Sequence, residues 1–361
     1  MSSSSSSMFR PSSLRRAVVL AVLAAGVLAA FLATLAWGSV SVPLDEVIAI
    51  LRGQDPARRT WRAIVLGLRL PRATTAVLAG TAMGLAGLAM QTLFRNALAE
   101  PYVLGVTSGA GLGVGLLLLP QGATAGVGAS LLAGLAPLHG LGVVGAAALG
   151  AFAVLLVMLA IAGRVRNMVI VLVAGIMVGA FLGAITNVLV FFARPEAVVA
   201  FTQWQFGSFE GVKSAQLPVL AAVVAAGTLL LTLFVKQLNV SLLGERYAQS
   251  MGLSPRRVRI VAIAATALLS GAVTAYTGPI AFLGIAAPHL ARGLLGTADH
   301  RLLIPGSALL GAMIALAAAI FAQLPGTGLM LPLNAALALL GAPVVLHVLL
   351  RINRTGGGFS V

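Results

Sequence analysis

Residues 73–93 read ATTAVLAGTAMGLAGLAMQTL, a run that contains no charged side chain. A helix needs about 20 apolar residues to cross the roughly 30 Å hydrocarbon layer of a bilayer. Lipid offers the backbone no hydrogen-bond partners, so a single segment that crosses it must bond internally as a helix. This stretch therefore predicts a transmembrane helix, and it sets the pattern for the rest of the chain.

Apolar segments of similar length recur along the 361 residues, of which 60% are hydrophobic and 9% charged. Soluble domains are about 25% charged, and a mean hydropathy of +1.06 excludes a water-soluble fold. The pattern predicts an all-α polytopic membrane protein of about ten helices. Besides 73–93, the predicted segments are 17–37, 102–119, 142–162, 168–190, 215–235, 258–277, 280–294, 303–322 and 332–350.

The net charge of +15 comes from arginines and lysines scattered through apolar sequence. We interpret it as a topology signal and predict no nucleic-acid partner. Cytoplasmic loops are enriched in these residues, and the ten-helix pattern obeys this rule when both termini are cytoplasmic. One predicted outer loop departs from the rule because six arginines cluster there: Arg52, Arg58, Arg59, Arg62, Arg69 and Arg72.

The two ends differ in composition from the apolar body. A serine run opens the chain and a glycine-rich stretch closes it, and both compositions are typical of disorder. We expect a cytoplasmic tail at 1–16, one transmembrane domain at 17–352 and a second cytoplasmic tail at 353–361. The first apolar run is too long for a signal peptide and lacks a small-residue cleavage site, so we interpret it as an uncleaved helix.

Glycines recur at four-residue spacing on several predicted helices, which places them on one helix face. Small residues let helix backbones approach closely in a membrane. We expect tight packing at most of these positions, whereas a few such faces could line a wide pathway. The glycines are Gly80 and Gly84, then Gly105, Gly109 and Gly113, then Gly175, Gly179 and Gly183.

Ionisable residues are rare inside the predicted helices. The eight acidic residues lie in predicted loops or at helix ends, and only His289 of the four histidines lies near a helix interior. We expect His289 to be a hydrogen-bonded structural residue. Cysteine is absent, and no catalytic set or metal-ligand spacing is found. The pattern argues against an enzyme, a cofactor or metal in this chain, and ion-coupled transport through buried charges.

Residues 238–259, LNVSLLGERYAQSMGLSPRRVR, separate two predicted helices on the cytoplasmic side. The stretch is long enough for two short amphipathic helices joined by Gly244 or Gly252 and lying on the membrane surface. Two interpretations are open. The stretch is either a lipid-facing loop or a docking element for a cytoplasmic protein.

Three blocks of sequence lie in order along the chain: Arg69-Leu-Pro-Arg72 with Arg95-Asn-Ala-Leu-Ala-Glu-Pro101 and Leu104-Gly-Val-Thr-Ser-Gly-Ala110; Gly278-Pro-Ile-Ala-Phe-Leu-Gly284 with Pro288-His289 and Asp299-His-Arg301; and Leu331-Pro-Leu-Asn334 with Gly341-Ala-Pro343. Together they resemble the signatures of the FecCD-type permeases. These are the membrane subunits of ABC importers for ferric siderophores, haem and cobalamin. The resemblance covers about residues 20–352.

The resemblance implies a type II ABC importer permease fold with ten helices and cytoplasmic termini. It also implies a homodimer, or a pair of homologous permeases, around a pathway lined by the helices at 168–190 and 332–350. Two copies of an ABC ATPase subunit would hydrolyse ATP with Mg²⁺ on the cytoplasmic side. An extracytoplasmic substrate-binding protein would deliver the cargo at the bacterial inner membrane.

The resemblance also assigns roles to two groups of residues. Arg69 and Arg72 match arginines that dock onto glutamates of the binding protein, and their alternative role is to anchor the second helix among lipid headgroups. The second group matches the paired coupling helices that rest in a cleft of the ATPase. Its members are Leu243, Gly244, Glu245, Ala248, Gly252 and Leu253.

The chain departs from the family pattern at Ala97, where relatives carry proline. It departs again near the outer end of the ninth helix, where Ala319, Gln323 and Met330 replace charged residues. The arginine that Gln323 replaces is a docking contact in the cobalamin importer. This substitution puts part of the docking interface in doubt, and other arginines of the outer loop are candidates to take its place.

Two other classes of function are kept as alternatives. An ion-coupled secondary transporter of a small apolar or amphipathic solute would need no ATPase, and a scaffolding membrane protein would not respond to a binding protein. The identity of the chelate is not encoded, because a pathway of Ala, Gly, Leu and Val carries no recognition pattern. A ferric siderophore is favoured only as the commonest cargo of the family.

Overall fold

The computed structural model describes residues 13–38, 40–120, 142–165, 167–323 and 330–354. Every regular element within these ranges is helical, so the prediction of an all-α protein is confirmed. The first helix begins at Ser13, four residues before the predicted start of the membrane domain. The rest of the predicted N-terminal tail, and most of the C-terminal one, lie outside the described residues.

The α-helices of the described residues are α1 Ser13–Ala36, α2 Leu44–Leu51, α3 Arg59–Arg62, α4 Leu70–Phe94, α5 Val106–Leu118, α6 Gly142–Arg164, α7 Met168–Phe192, α8 Pro195–Gln205, α9 Leu217–Leu233, α10 Val235–Ser241, α11 Glu245–Ser250, α12 Pro255–Thr277, α13 Leu283–Leu295, α14 His300–Ala322 and α15 Leu333–Arg354. A π-helical segment, Ala63–Arg69, joins α3 to α4. Short 3₁₀ turns at Pro101–Leu104 and Ser214–Gln216 precede α5 and α9.

Each predicted membrane segment coincides with one of these helices. Seven helices in the described ranges are long and apolar enough to cross a membrane. Helices α5 and α13 have only 13 residues each, which is short of the length that a full crossing needs. The predicted count of ten crossings is therefore not confirmed.

The second predicted helix is longer than expected. Helix α3, the π-helical segment and α4 form one rod, Arg59–Phe94, of 36 residues. Arg69 and Arg72 therefore lie within a helix, and the prediction that they belong to a loop is wrong. The widened π turns come directly before Pro71, whose missing N–H cannot continue an α-helical hydrogen-bond ladder.

Helix boundaries follow local capping chemistry. The Asn167 side chain accepts a hydrogen bond from the Val169 amide at 2.9 Å at the start of α7, and Asp299 accepts one from the Arg301 amide at 2.9 Å at the start of α14. These oxygens satisfy amides that have no partner within the helix. Helix α13 ends at Gly296, which adopts the left-handed conformation that glycine tolerates (φ 58°).

The core is built around α4, which packs against α12, α13 and α14. A Cβ atom at Gly80 would lie 2.2 Å from the Gly311 carbonyl oxygen, and one at Gly87 would lie 1.9 Å from the Gly284 carbonyl oxygen. No side chain fits at these contacts. Backbones thus touch directly across the core, as the four-residue spacing of Gly80 and Gly84 predicts.

Helix α7 packs on one side only. A Cβ atom at Gly175 would lie 2.3 Å from the Val103 carbonyl oxygen, whereas one at Gly183 would meet nothing within 4 Å. Large apolar side chains such as Phe181 and Phe191 are exposed along the helix. Gly175 is therefore tightly packed against a neighbouring backbone, whereas Gly183 faces open space.

We predict that Gly80→Val lowers the free energy of unfolding by about 3 kcal/mol, because the new side chain forces α4 away from α14. The matched control is Gly183→Val, the same substitution at an open position on a membrane helix. Thermal unfolding of both variants in detergent measures the difference. Equal stability of the two variants would contradict the backbone contact.

Candidate functional site

Arg69 holds the outer end of α1. Its side chain is 5% exposed, and its Nη1 donates to the carbonyl oxygens of Leu35 at 2.8 Å and Ala36 at 2.9 Å. Nη2 donates to the Val40 carbonyl. The cation thus satisfies carbonyls at a helix C-terminus, where the helix dipole is negative.

Arg72 lies one turn further along the rod and is also buried, with 7% of its surface exposed. Its Nη2 donates to the Ala319 carbonyl oxygen at 2.7 Å, and its Nη1 forms an ion pair with Glu210 at 2.8 Å. Glu210 thus supplies the carboxylate that pairs with Arg72. This pair could not be predicted from the sequence, because Glu210 is distant along the chain and lies in a loop.

Exposed cations surround the two buried arginines. Arg52, Arg58, Arg59 and Arg62 are exposed in the described structure. Arg62 pairs with Asp55 at 3.0 Å, with both groups in solvent. Arg69 and Arg72 are thus engaged within the chain, and their predicted role in docking stays a prediction. The solvent-facing positive charge at this end includes the other four arginines and Lys213.

The predicted surface segment between the sixth and seventh predicted spans forms two short helices, α10 and α11, separated at Gly244. Gly244 has φ 115° and Gly252, after α11, has φ 77°. Both values favour glycine, because a Cβ atom is strained in this region. The backbone therefore reverses at the two glycines that the sequence singled out.

Three large apolar side chains of this segment are exposed. Leu243 is 65% exposed, and Tyr247 and Met251 are more than half exposed. Ala248 is buried, and its carbonyl accepts a hydrogen bond from the Leu253 amide at 3.0 Å. Such a cluster of large apolar side chains is typical of a contact surface. Tyr247 and Met251 were not among the predicted residues, although both lie inside the quoted stretch.

A cleft of about 740 Å³ lies beside this segment. Its walls come from the end of α4, the start of α7 and helices α10 to α12. The lining residues include Phe94, Arg95, Met168, Tyr247 and Val258. The cleft thus separates part of the α10–α11 segment from the end of α4 and the start of α7.

A polar network ties α10 to the core. The Asn239 side-chain oxygen accepts hydrogen bonds from the His300 amide at 2.9 Å and from His300 Nδ1 at 2.6 Å. The Asn239 amide nitrogen donates to Asp299 at 2.7 Å. The Thr92 hydroxyl lies 2.7 Å from His300 Nε2. A neutral imidazole with its proton on Nδ1 donates to Asn239 and accepts the Thr92 hydroxyl proton on Nε2, in competition with the Leu88 carbonyl, which lies 2.8 Å from the same hydroxyl.

Asp299 fixes the orientation of this network. Burial acts to raise the pKa of Asp299, but hydrogen bonds from the Arg301 amide and Asn239, with the positive charge of Arg301, hold that pKa below its usual value. Asp299 is therefore a carboxylate at neutral pH. It orients the Asn239 amide so that the oxygen faces His300.

A further contact joins α10 directly to α4. Arg95 Nη2 donates to the Ser241 carbonyl oxygen at 2.9 Å. Arg95 has φ 48° at the end of α4, which turns its side chain off the helix axis. Helix α10 is thus bonded to the last turn of α4 and to the first turn of α14.

Two other expectations are corrected. His300 was predicted in an inner loop, but it is the first residue of α14 and is 1% exposed. His289 was expected to be hydrogen-bonded, and no described residue bonds its ring. Near this position it is Gln91 that is hydrogen-bonded. Its side chain donates to the Gly284 carbonyl at 3.2 Å and accepts a hydrogen bond from Arg292.

Comparison with known proteins places this geometry in a family. The profile of the FecCD transport family matches residues 26–351. The chain belongs to the FecCD transport family. This FecCD permease is therefore a membrane transport component rather than an enzyme, as the sequence blocks indicated.

Curated relatives agree with this assignment. The vitamin B12 import system permease protein BtuC of Escherichia coli O127:H6 is 35% identical over 288 residues, which cover 80% of this chain and 83% of that protein. The hemin transport system permease protein HmuU of Yersinia pestis is 34% identical over 298 residues, covering 82% and 85%.

The fold of the FecCD permease also matches a solved structure. That structure is described as an inward-facing conformation of a metal-chelate type ABC transporter. The TM-score is 0.79 at 23% identity, over 93% of this chain and 99% of the other. The predicted type II permease fold is confirmed at the level of architecture.

We predict that Asn239→Leu lowers the free energy of unfolding by about 2 kcal/mol, because it leaves buried donors of His300 without an acceptor. Hydrogen exchange should rise in α10 before it rises in α4. Gln249→Leu, at an exposed position of α11, is the control and should change stability by less than about 0.5 kcal/mol. Unchanged stability and exchange in Asn239→Leu would show that the network does not hold α10.

Proposed function

We propose that this FecCD permease is the membrane subunit of an ATP-driven ABC importer that moves a metal chelate inward from a substrate-binding protein. The observation that carries the proposal is the segment α10–α11, which exposes Leu243, Tyr247 and Met251 and is bonded to both α4 and α14. An exposed apolar surface that is bonded to two core helices would pass the movement of a docked protein on to those helices. The named activities of the relatives, import of vitamin B12 and transport of hemin, support the cargo class.

The ATPase partner would supply ATP and Mg²⁺, and no cofactor is assigned to this chain. Two ATPase copies would sit against α10–α11 of two permease copies in the bacterial inner membrane. The residues proposed to meet each ATPase are Leu243, Gly244, Glu245, Ala248, Gly252 and Leu253. Closure of the ATPase pair would then tilt α4 and α14, because rigid helices transmit such motion through their bonded ends.

The second permease copy would cover α7. Its exposed apolar residues and the open Gly183 are compatible with a face shared between a partner copy and a smooth pathway. Helix α15 would line the same pathway. Apolar walls suit a bulky chelate, because they hold it weakly and release it on the other side.

The binding protein would dock at the outer end, with Arg69 and Arg72 as proposed contacts. The exposed arginines around them add positive potential there. Long-range attraction to carboxylates raises the association rate and the specificity of docking. Among metal chelates, a ferric siderophore is the first cargo to test, followed by haem and cobalamin.

Reconstitution into proteoliposomes tests the proposed function. With the cognate ATPase inside and a loaded binding protein outside, the vesicles should take up chelate and hydrolyse ATP faster than with an empty binding protein. The permease alone, under a proton or sodium gradient, should take up nothing. Uptake by the permease alone would instead identify an ion-coupled secondary transporter.

We predict that Gly244→Val uncouples hydrolysis from transport and lowers the chelate moved per ATP at least about tenfold. The substitution meets open space, but φ 115° is strained for a β-branched residue. Gly142→Val, which also combines a positive φ of 65° with open space around its Cβ and lies at the start of α6, is the control and should retain coupling. Measuring uptake and phosphate release together gives the ratio, and a normal ratio in Gly244→Val would rule out this coupling role.

A further inference from the structure

The ion pair between Arg72 and Glu210 is asymmetric. The Arg72 side chain is 8% exposed and that of Glu210 is 43% exposed. A buried guanidinium is costly without a partner, whereas a carboxylate this exposed can return to water. Arg72 therefore needs a carboxylate more than Glu210 needs an arginine.

The loop that carries Glu210 is anchored on both sides of this residue, because Phe209 and Val212 are each only 3% exposed. The Ser208 amide donates to the Thr277 carbonyl at 2.8 Å, and the Glu210 amide donates to the Ser208 hydroxyl at 3.0 Å. The next residue, Gly211, has no atom within 4 Å of a Cβ position. Rotation of the Glu210 side chain, which is 43% exposed, can thus take its carboxylate away from Arg72 while the loop backbone stays in place.

A cavity of about 110 Å³ adjoins the pair and is lined by both residues. Water occupies about 30 Å³ in the liquid, so the cavity holds a carboxylate group. Arg72 Nε is buried and has no hydrogen-bond partner among the described residues. The guanidinium thus keeps an unused N–H donor at a site that already binds one carboxylate. An Arg side chain can donate two parallel hydrogen bonds to a single carboxylate.

We propose that Glu210 is a built-in competitor that controls docking: it occupies Arg72 in the free permease and is displaced by a carboxylate of the binding protein. This inference rests on the proposed function. The tethered Glu210 acts at a high effective concentration, so only a partner that places its acid in the cavity and adds further contacts displaces it. The ion pair thus selects among binding proteins. Glu210 also helps a docked binding protein to dissociate, because it can rebind Arg72.

Affinity measurements in nanodiscs test the proposal with four variants and the cognate binding protein. Glu210→Gln should bind it about tenfold more tightly than the unmodified permease, because the competitor is gone. Arg72→Gln should bind at least about tenfold more weakly. Adding Glu210→Gln to Arg72→Gln should give no gain. Glu196→Gln, which removes the same charge from an exposed site at the start of α8, should change affinity less than twofold.

The outcomes separate this proposal from the proposed function. Binding to the unmodified permease with no gain in Glu210→Gln would overturn the competitor role alone. An equal gain in Glu196→Gln would also overturn it, because the effect would then be general electrostatics. No binding to any variant would overturn the proposed function itself. Should Glu210→Gln fail to fold, Glu210→Asp keeps the charge but shortens its reach, and unchanged affinity there would contradict the proposal.

Discussion

Direct backbone contact along α4 is the constraint on which the rest of the structure depends. Lipid does not drive apolar helices together as water does, so association needs close packing. Gly80 and Gly84 let α14 approach α4 within carbonyl contact, and Gly87 does the same for α13. Once these contacts form, the polar side chains at both ends of α4 have fixed neighbours. The bonds of Arg72 and Thr92 to α14 follow from that packing.

The two ends of this FecCD permease use polar groups differently. At the outer end, arginines neutralise carbonyls and a loop carboxylate, and the remaining cations face solvent. At the other end, amide, imidazole and hydroxyl groups, with the Asp299 carboxylate and the Arg95 guanidinium, join α10 to α4 and α14 through short hydrogen bonds. Long-range charge suits recognition of a partner that arrives by diffusion. Short, directional hydrogen bonds suit a contact between helices that must move together.

Much of the fold could be predicted from the sequence, because the apolar period and the capping residues are local signals. Each predicted segment is a helix. Gly80 lies where two helix backbones touch, and Gly244 has the positive φ that favours glycine. The burial of Arg69 and Arg72 could not be predicted, because their partners are distant in sequence and are mostly backbone atoms. Glu210 and Asn239 were missed for the same reason: a loop acid and a surface amide reveal their roles only when the fold supplies their neighbours. The segment at 280–294 was predicted as a full span from its apolar composition, but residues 278–282 are not helical and α13 begins only at Leu283.

The rod from Arg59 to Phe94 is longer than the bilayer is thick. At about 1.5 Å per residue, 36 residues extend to roughly 50 Å, against a hydrocarbon core of about 30 Å. A helix of this length projects beyond the hydrocarbon layer when it crosses it. Its π-helical turns and Pro71 lie near the Arg59 end, so the rest of α4, which ends at Phe94, is the part that can carry movement between the two sides of the membrane.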